Sequence, residues 1–71
     1  MRLPRETEFF IYLLEHYAAY KGVPAGQVMD DWRSRGLDRE IMDNYEMYHT
    51  ERLENAFADI DSLIATGKHA W

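Results

Sequence analysis

The 71-residue chain has no cysteine, only two prolines and four glycines, and no long hydrophobic run. Without cysteine, neither a disulfide framework nor a thiolate metal site can stabilise the fold, and a reducing cytoplasm is the expected location. No segment approaches the roughly 20 apolar residues that span a bilayer, and the first ten residues lack the layout of a signal peptide. The sequence therefore predicts a soluble, cytoplasmic protein that has no contact with a membrane.

The chain does contain apolar and aromatic surface, since 46% of its residues are hydrophobic and 14% are aromatic. This composition is typical of a compact domain and not of a disordered chain. A chain of this length buries only about 60 to 65% of its unfolded surface, so its stability is marginal and a partner or a second copy matters. We expect one domain over residues 1–71, with residues 1–4 and 68–71 as tails.

Basic residues are scarce in the second half of the chain. Residues 38–61 contain eight acids and only two bases, and the net charge of the chain is −5. An acidic surface repels phosphate backbones and attracts basic protein surfaces. The charge distribution therefore favours a protein partner over nucleic acid.

Apolar residues recur at spacings of three and four in four segments, and no strand-like alternation is present. The expected helices span about residues 4–21, 24–35, 38–49 and 51–66. Gly22, Gly36 and Gly67 follow three of these segments, in the position where glycine commonly ends a helix, and Asp38 is the expected N-cap of the third. The predicted fold is all-α: a compact domain of four short helices, orthogonal or bundle-like, with helix one central.

Helix one has an unusually wide apolar arc. Its main members are Phe9, Phe10, Leu13, Leu14, Tyr17 and Tyr20. Three other short helices cannot easily cover so much of one circumference, and an uncovered aromatic patch usually marks an interface. We therefore predict a homodimer through helix one, with Phe10 or Leu14 near the contact.

The stretch NYEMYHTE, residues 44–51, is the candidate for chemistry. Tyr45 and His49 are four residues apart, a spacing that places a phenol and an imidazole on one helix face as an acid–base pair. The alternative is structural: Tyr45 packs in the core, His49 bonds a carbonyl at the helix end, and Thr50 caps the next helix. No nucleophile, glycine-rich loop or oxyanion donor accompanies the pair, so we expect a helix–helix corner and no enzyme.

The three histidines do not form a metal-binding pattern. The spacings of His16, His49 and His69 match neither H-x-x-x-H nor E-x-x-H. We therefore expect no metal site and no cofactor.

The acids of helix four have two expected roles. Asp59 and Asp61 lie on either side of Ile60, point in different directions and are expected to be solvated. Glu54 and Asp61, seven residues apart, share a face, and together with Glu51 they form a candidate acidic stripe for a partner.

Residues 23–48 also allow a helix-turn-helix interpretation, because two short helices meet at Gly36. The second of these helices would begin DREIMDNYE, which contains four acids and a single arginine. Such a helix would repel the phosphates of DNA. A DNA-binding regulator is therefore the alternative to a protein-interaction module.

Four segments carry a resemblance that covers nearly the whole chain: EFFIYLLEHYA, VPAGQVMDDW followed by a glycine, NYEMYHT and ADIDSLI. In these segments the chain resembles the small bacterial family catalogued as domain of unknown function 3791. Val23-Pro24 departs from the serine or threonine cap that is usual there. The resemblance implies a helical protein without assigned activity, encoded near genes for ADP-ribosyltransferase-like proteins, and hence an accessory or antitoxin-like partner.

Overall fold

A computed structural model describes residues 3–70, which form five α-helices and no strand. The helices are α1 (Arg5–Lys21), α2 (Ala25–Arg35), α3 (Leu37–Asp43), α4 (Tyr45–Thr50) and α5 (Leu53–Thr66). The predicted all-α class is confirmed, with one helix more than expected. Trp71, part of the predicted tail, lies outside the described residues.

The three glycine stops are confirmed. Gly22, Gly36 and Gly67 have φ angles of 71°, 74° and 76°, in the left-handed region where a side chain is strained. At the end of α1 the backbone N–H of Val23 donates to the carbonyl of Ala18 at 3.1 Å, which closes the last turn. The chain can therefore reverse directly into α2.

Two helix starts differ from the prediction. Pro4 precedes α1 as its cap residue, and its carbonyl accepts the N–H groups of Thr7 and Glu8. Asp38 is not the cap of α3, because Gly36 ends α2 and its carbonyl already accepts the N–H of Glu40 at 3.2 Å. Asp38 therefore lies inside the first turn, where its charge still suits the helix dipole.

The predicted third helix is divided into α3 and α4 at Asn44. The side-chain amide of Asn44 donates to the carbonyl of Glu40 at 2.8 Å, and its backbone leaves helical geometry with φ −107° and ψ 27°. An asparagine side chain competes with the backbone for helix carbonyls in this way. The axis changes at Asn44, and Tyr48 of α4 is then buried in the core.

The core is built around Trp32, which is fully buried. The remaining buried apolar side chains come from all five helices: Leu13, Tyr17, Ala18, Val28, Leu37, Ile41, Tyr48, Ala56 and Ile60. Helix α1 packs against α2, α3 and α4, and its Tyr17 ring also meets Phe57 of α5. The central position of helix one is confirmed.

A membrane-crossing helix would need greater length and more apolar character than any helix between residues 3 and 70 has.

Candidate functional site

The Tyr45–His49 pair is a local feature of α4. The two rings stack with centroids 4.3 Å apart, and the His49 Nδ1 lies 2.8 Å from the Tyr45 carbonyl, to which it donates. Phe9 meets the Tyr45 ring edge-on at 5.6 Å. The imidazole thus bonds a helix carbonyl as predicted, while Tyr45 is only half-buried.

The same arrangement occurs a second time, on α1. The His16 Nδ1 lies 2.8 Å from the Tyr12 carbonyl, and the two rings are 4.1 Å apart. Because both histidines use Nδ1 in the same bond to their own helix, the repeated geometry indicates a helix-surface motif. It supports the structural alternative for the Tyr45–His49 pair, which stays a prediction.

Thr50 does not cap the following helix, so that prediction was wrong. It is the last residue of α4, and its hydroxyl donates to the carbonyls of Glu46 at 3.1 Å and Met47 at 3.0 Å. The chain then extends through Glu51, and Arg52 takes the cap position of α5 without a side-chain bond. The threonine completes the preceding helix because its hydroxyl reaches two carbonyls there.

Because Thr50 lies at the end of α4, we expect Thr50→Ala to destabilise the domain only slightly. We expect the free energy of unfolding to fall by less than about 0.5 kcal/mol, because the lost bonds lie on an exposed helix end. Thermal unfolding followed by circular dichroism measures the change. A loss of about 1 kcal/mol or more, typical of a removed N-cap, would contradict this arrangement.

Asp59 is the main correction to the sequence analysis, because the expected solvated carboxylate is only 1% exposed. Its Oδ2 accepts the hydroxyl of Tyr48 and the His69 Nδ1, the latter at 2.8 Å. Its Oδ1 accepts the backbone N–H of Ala70. A carboxylate can be buried when several donors satisfy its oxygens in this way.

His69 joins the C-terminal residues to two helices. Its Nε2 lies 2.6 Å from an Oε1 of Glu40 on α3, while its Nδ1 faces Asp59 on α5. Burial alone lowers the pKa of His69, but the hydrogen bonds and charges of the two carboxylates outweigh burial and raise that pKa. We name Glu40, Tyr48, Asp59 and His69 the C-terminal cluster.

Burial, followed by the hydrogen bond to Asp59, raises the pKa of Tyr48 far above its usual range. Tyr48 therefore stays protonated and acts as a donor. No group of three or more His, Asp or Glu side chains between residues 3 and 70 is arranged to hold a metal ion. In the C-terminal cluster the carboxylates of Asp59 and Glu40 contact different ring nitrogens of His69.

Asp61 repeats the tyrosine–carboxylate contact at the other side of α5. The hydroxyl of Tyr17 donates to it at 2.6 Å, and the Lys21 ammonium lies 3.0 Å from the same oxygen. Lys21 also sits 5.0 Å from the centroid of the Tyr20 ring. Asp61 is therefore partly solvated, as an exposed flank would be, but Lys21 and Tyr17 of the same domain already contact its carboxylate.

The candidate partner-binding residues lie on α1, on α5 and in the link between α4 and α5. Phe10 and Leu14 are half-buried on α1, and the Phe10 ring lies 5.7 Å from Trp32. Glu54 is exposed, whereas Glu51 is half-buried beside the C-terminal cluster. A shared acidic surface of Glu51, Glu54 and Asp61 stays a prediction, and Asp61 is already paired with Lys21.

Phe10 instead lines a groove between α1, α2 and α3 with a volume of about 410 Å³. We name it the methionine groove. Its other lining residues are Thr7, Met29, Asp38, Arg39, Met42 and Asp43. Met42 is 38% exposed, so an apolar side chain lies open to solvent at its edge.

Sequence reasoning missed the C-terminal cluster and the two methionines of the groove. One signal was available: Asp59 lies three residues after Ala56 and one before Ile60, which places it next to the apolar stripe of α5. No comparable signal existed for His69, because its partner Glu40 is 29 residues away.

The fold and its contacts define a small all-helical domain with paired tyrosine–aspartate contacts at Tyr48–Asp59 and Tyr17–Asp61. The family model for a protein of unknown function, DUF3791, matches residues 8–66. The chain belongs to this family. No curated protein and no solved structure matched the chain.

The matched segment includes three members of the C-terminal cluster, Glu40, Tyr48 and Asp59, and stops before His69. The residue that joins Glu40 to Asp59 therefore comes from a part of the chain beyond the family match.

Proposed function

We propose that this domain acts by binding another protein and carries out no reaction of its own. The observation that supports the proposal is the methionine groove, a largely apolar depression whose charged lining residues are Asp38, Arg39 and Asp43. A groove of about 410 Å³ takes one or two large side chains, as the anchor pocket of a helix or loop would. Met29 and Met42 are flexible and adapt to varied apolar surfaces.

The partner class follows from charge and from the family. With a net charge of −5, the domain favours a partner whose contact surface is basic. The resemblance described above adds a candidate class, the ADP-ribosyltransferase-like proteins near whose genes members of this family are often encoded. In this proposal the domain serves as the accessory or antitoxin-like partner of such a protein.

Met42→Glu tests the groove. A carboxylate placed at an apolar contact must lose water without gaining a partner, so we expect binding to weaken at least about tenfold. The measurement is an affinity pulldown with tagged protein from a native-host lysate, quantified by mass spectrometry, followed by calorimetry with the recovered partner. Circular dichroism checks that the variant is folded.

Met47→Glu is the matched control, because Met47 is 42% exposed but lies on α4, outside the groove. This variant should bind as the parent protein does. Equal losses in both variants, or no loss with Met42→Glu, would remove the groove from the proposal. Recovery of the bait alone would count against a protein partner altogether.

A homodimer through α1 is the second candidate, favoured by the exposed side chains of Ile11, Tyr12 and Tyr20. Sedimentation equilibrium at about 100 μM distinguishes it, since a dimer of micromolar affinity is well populated there. The helix-turn-helix alternative has weaker support. Its second helix would be α3, only seven residues long, whose acids Asp38, Glu40 and Asp43 would repel a phosphate backbone.

A further inference from the structure

Both ring nitrogens of His69 face carboxylate oxygens. Nδ1 lies 2.8 Å from Asp59 and Nε2 lies 2.6 Å from Glu40. A carboxylate only accepts hydrogen bonds, so each of these contacts requires an N–H on the imidazole. Neutral histidine has one N–H, and only the imidazolium has two. The observed geometry is therefore that of the protonated ring.

We propose that residues 69–70 form a proton-dependent latch, closed on α3 and α5 while His69 is an imidazolium and released when the ring loses its proton. The titratable groups around it come from every neighbouring element. Among the described residues, Glu40 on α3 and Asp59 on α5 contact the ring nitrogens of His69, Tyr48 on α4 lies beside the ring, and Glu51 in the link to α5 acts on Tyr48. The carboxylates among these groups stabilise the cation.

Loss of the proton breaks the two contacts unequally. The Glu40 side chain is 41% exposed, so water can replace His69 there at little cost. Asp59 is buried and also accepts the hydroxyl of Tyr48 and the backbone N–H of Ala70. The contact with α3 therefore opens first, and residues 69–70 are then held by Asp59 alone, in equilibrium with an open state in which only Tyr48 donates to that carboxylate.

The segment that moves begins after Lys68, because hydrogen bonds hold Lys68 to α5. The Ser62 hydroxyl donates to the Lys68 carbonyl at 2.8 Å, and the Lys68 N–H donates to the Thr66 hydroxyl at 3.1 Å. Neither bond involves a group that titrates near neutral pH. The hinge of the latch therefore lies between Lys68 and His69.

The direction of the pH dependence follows from linkage. The pKa of His69 is raised in the folded protein above the value of about 6.5 in an unfolded chain. A raised pKa means that the closed latch contributes its full stability below the unfolded value. That contribution is lost as pH rises through the folded value, so the latch opens on the alkaline side.

Opening of the latch changes the exposure of the Asp59 carboxylate. Ala70 and Asp59 line a depression of about 210 Å³ together with Glu51, Asn55 and Ala58. When residues 69–70 move away, the carboxylate of Asp59 loses two of its three donors and becomes an acceptor for water or for an external cation. The latch thus converts a covered, neutralised site into an open, acidic one.

Nuclear magnetic resonance of the intact protein tests the latch between about pH 5.5 and pH 9, a range that spans ordinary histidine titration. Ring ¹⁵N shifts report the protonation of His69, and ¹⁵N relaxation reports the mobility of Ala70. We expect two protonated ring nitrogens at the acid end, and Ala70 becoming mobile at the same midpoint as the ring. A rigid Ala70 through the whole titration, or a neutral His69 near pH 6, would overturn the proposal.

Two variants keep the test independent of overall folding. Glu40→Gln removes the exposed carboxylate and should weaken proton binding by His69 by up to about tenfold, which is one pKa unit. His69→Ala has no side-chain donor at any pH, so Ala70 should be mobile throughout the titration. His49→Gln is the control, because that ring bonds only its own helix carbonyl, and it should leave the behaviour of Ala70 unchanged. An unmoved midpoint in Glu40→Gln would contradict the role of α3.

Discussion

Asp59→Ala is expected to destabilise the domain by about 3 to 5 kcal/mol, the range found when one partner of a buried charged pair is removed. The change leaves the hydroxyl of Tyr48, the His69 ring and the N–H of Ala70 without their common acceptor. A domain of this size has little stability to lose, so the variant should be largely unfolded near its working temperature. Urea unfolding followed by circular dichroism measures the loss.

Asp61→Ala is the control for this prediction, because it removes the same side chain two residues further along α5. Asp61 also accepts a tyrosine hydroxyl and faces a lysine, but it is partly open to water. We expect a loss below about 2 kcal/mol. Equal losses at both positions would mean that burial of the carboxylate is not what makes Asp59 important.

Trp32→Ala should have an effect of similar size, about 3 to 5 kcal/mol, because it removes a fully buried side chain and leaves a cavity. The indole packs against the rings of Phe10 and Tyr17 at 5.7 and 5.5 Å, so two rings of α1 lose their contact with α2 together. Chemical denaturation with a circular dichroism readout is required, since the substitution removes a fluorophore.

Trp32→Phe separates packing from hydrogen bonding. The indole Nε1 is buried and has no hydrogen-bond partner among residues 3–70. Phenylalanine keeps an aromatic ring in place and loses no hydrogen bond, so we expect less than half of the loss seen with alanine. A phenylalanine variant as unstable as the alanine variant would indicate that the indole N–H makes a contact of its own.

The parts of the fold that follow from local sequence were predictable. Helical spacing of apolar residues places α1, α2 and α5, and a glycine at the left-handed position ends each of them at Gly22, Gly36 and Gly67. These signals act within one or two turns of chain. They do not depend on what the helix packs against.

The corner around residues 44–52 was predicted less well, because several residues there suit the same role. Asn44 and Thr50 both have side chains that can cap a helix or bond back to the preceding turn. In the structure both bond back, Asn44 to Glu40 and Thr50 to Glu46. With both side chains bonded back in this way, Tyr48 is buried beside Asp59. That contact between α4 and α5 cannot be read from local sequence.

The C-terminal cluster could not be predicted because it depends on tertiary contacts. His69 meets Asp59 ten residues before it and Glu40 on a different helix. A short polar stretch after a glycine is typical of a loose tail, and the imidazole is anchored because the fold brings one carboxylate of α3 and one of α5 within reach of residue 69.

The three donors to Asp59 constrain the residue types of relatives to different degrees. The donor from residue 70 is a backbone N–H, which every amino acid except proline supplies. The donors from residues 48 and 69 are side chains, and only the first lies in the matched segment. We therefore expect relatives to carry any residue except proline at position 70. Relatives without a histidine at position 69 should carry an uncharged residue at position 59, so that the two positions change together.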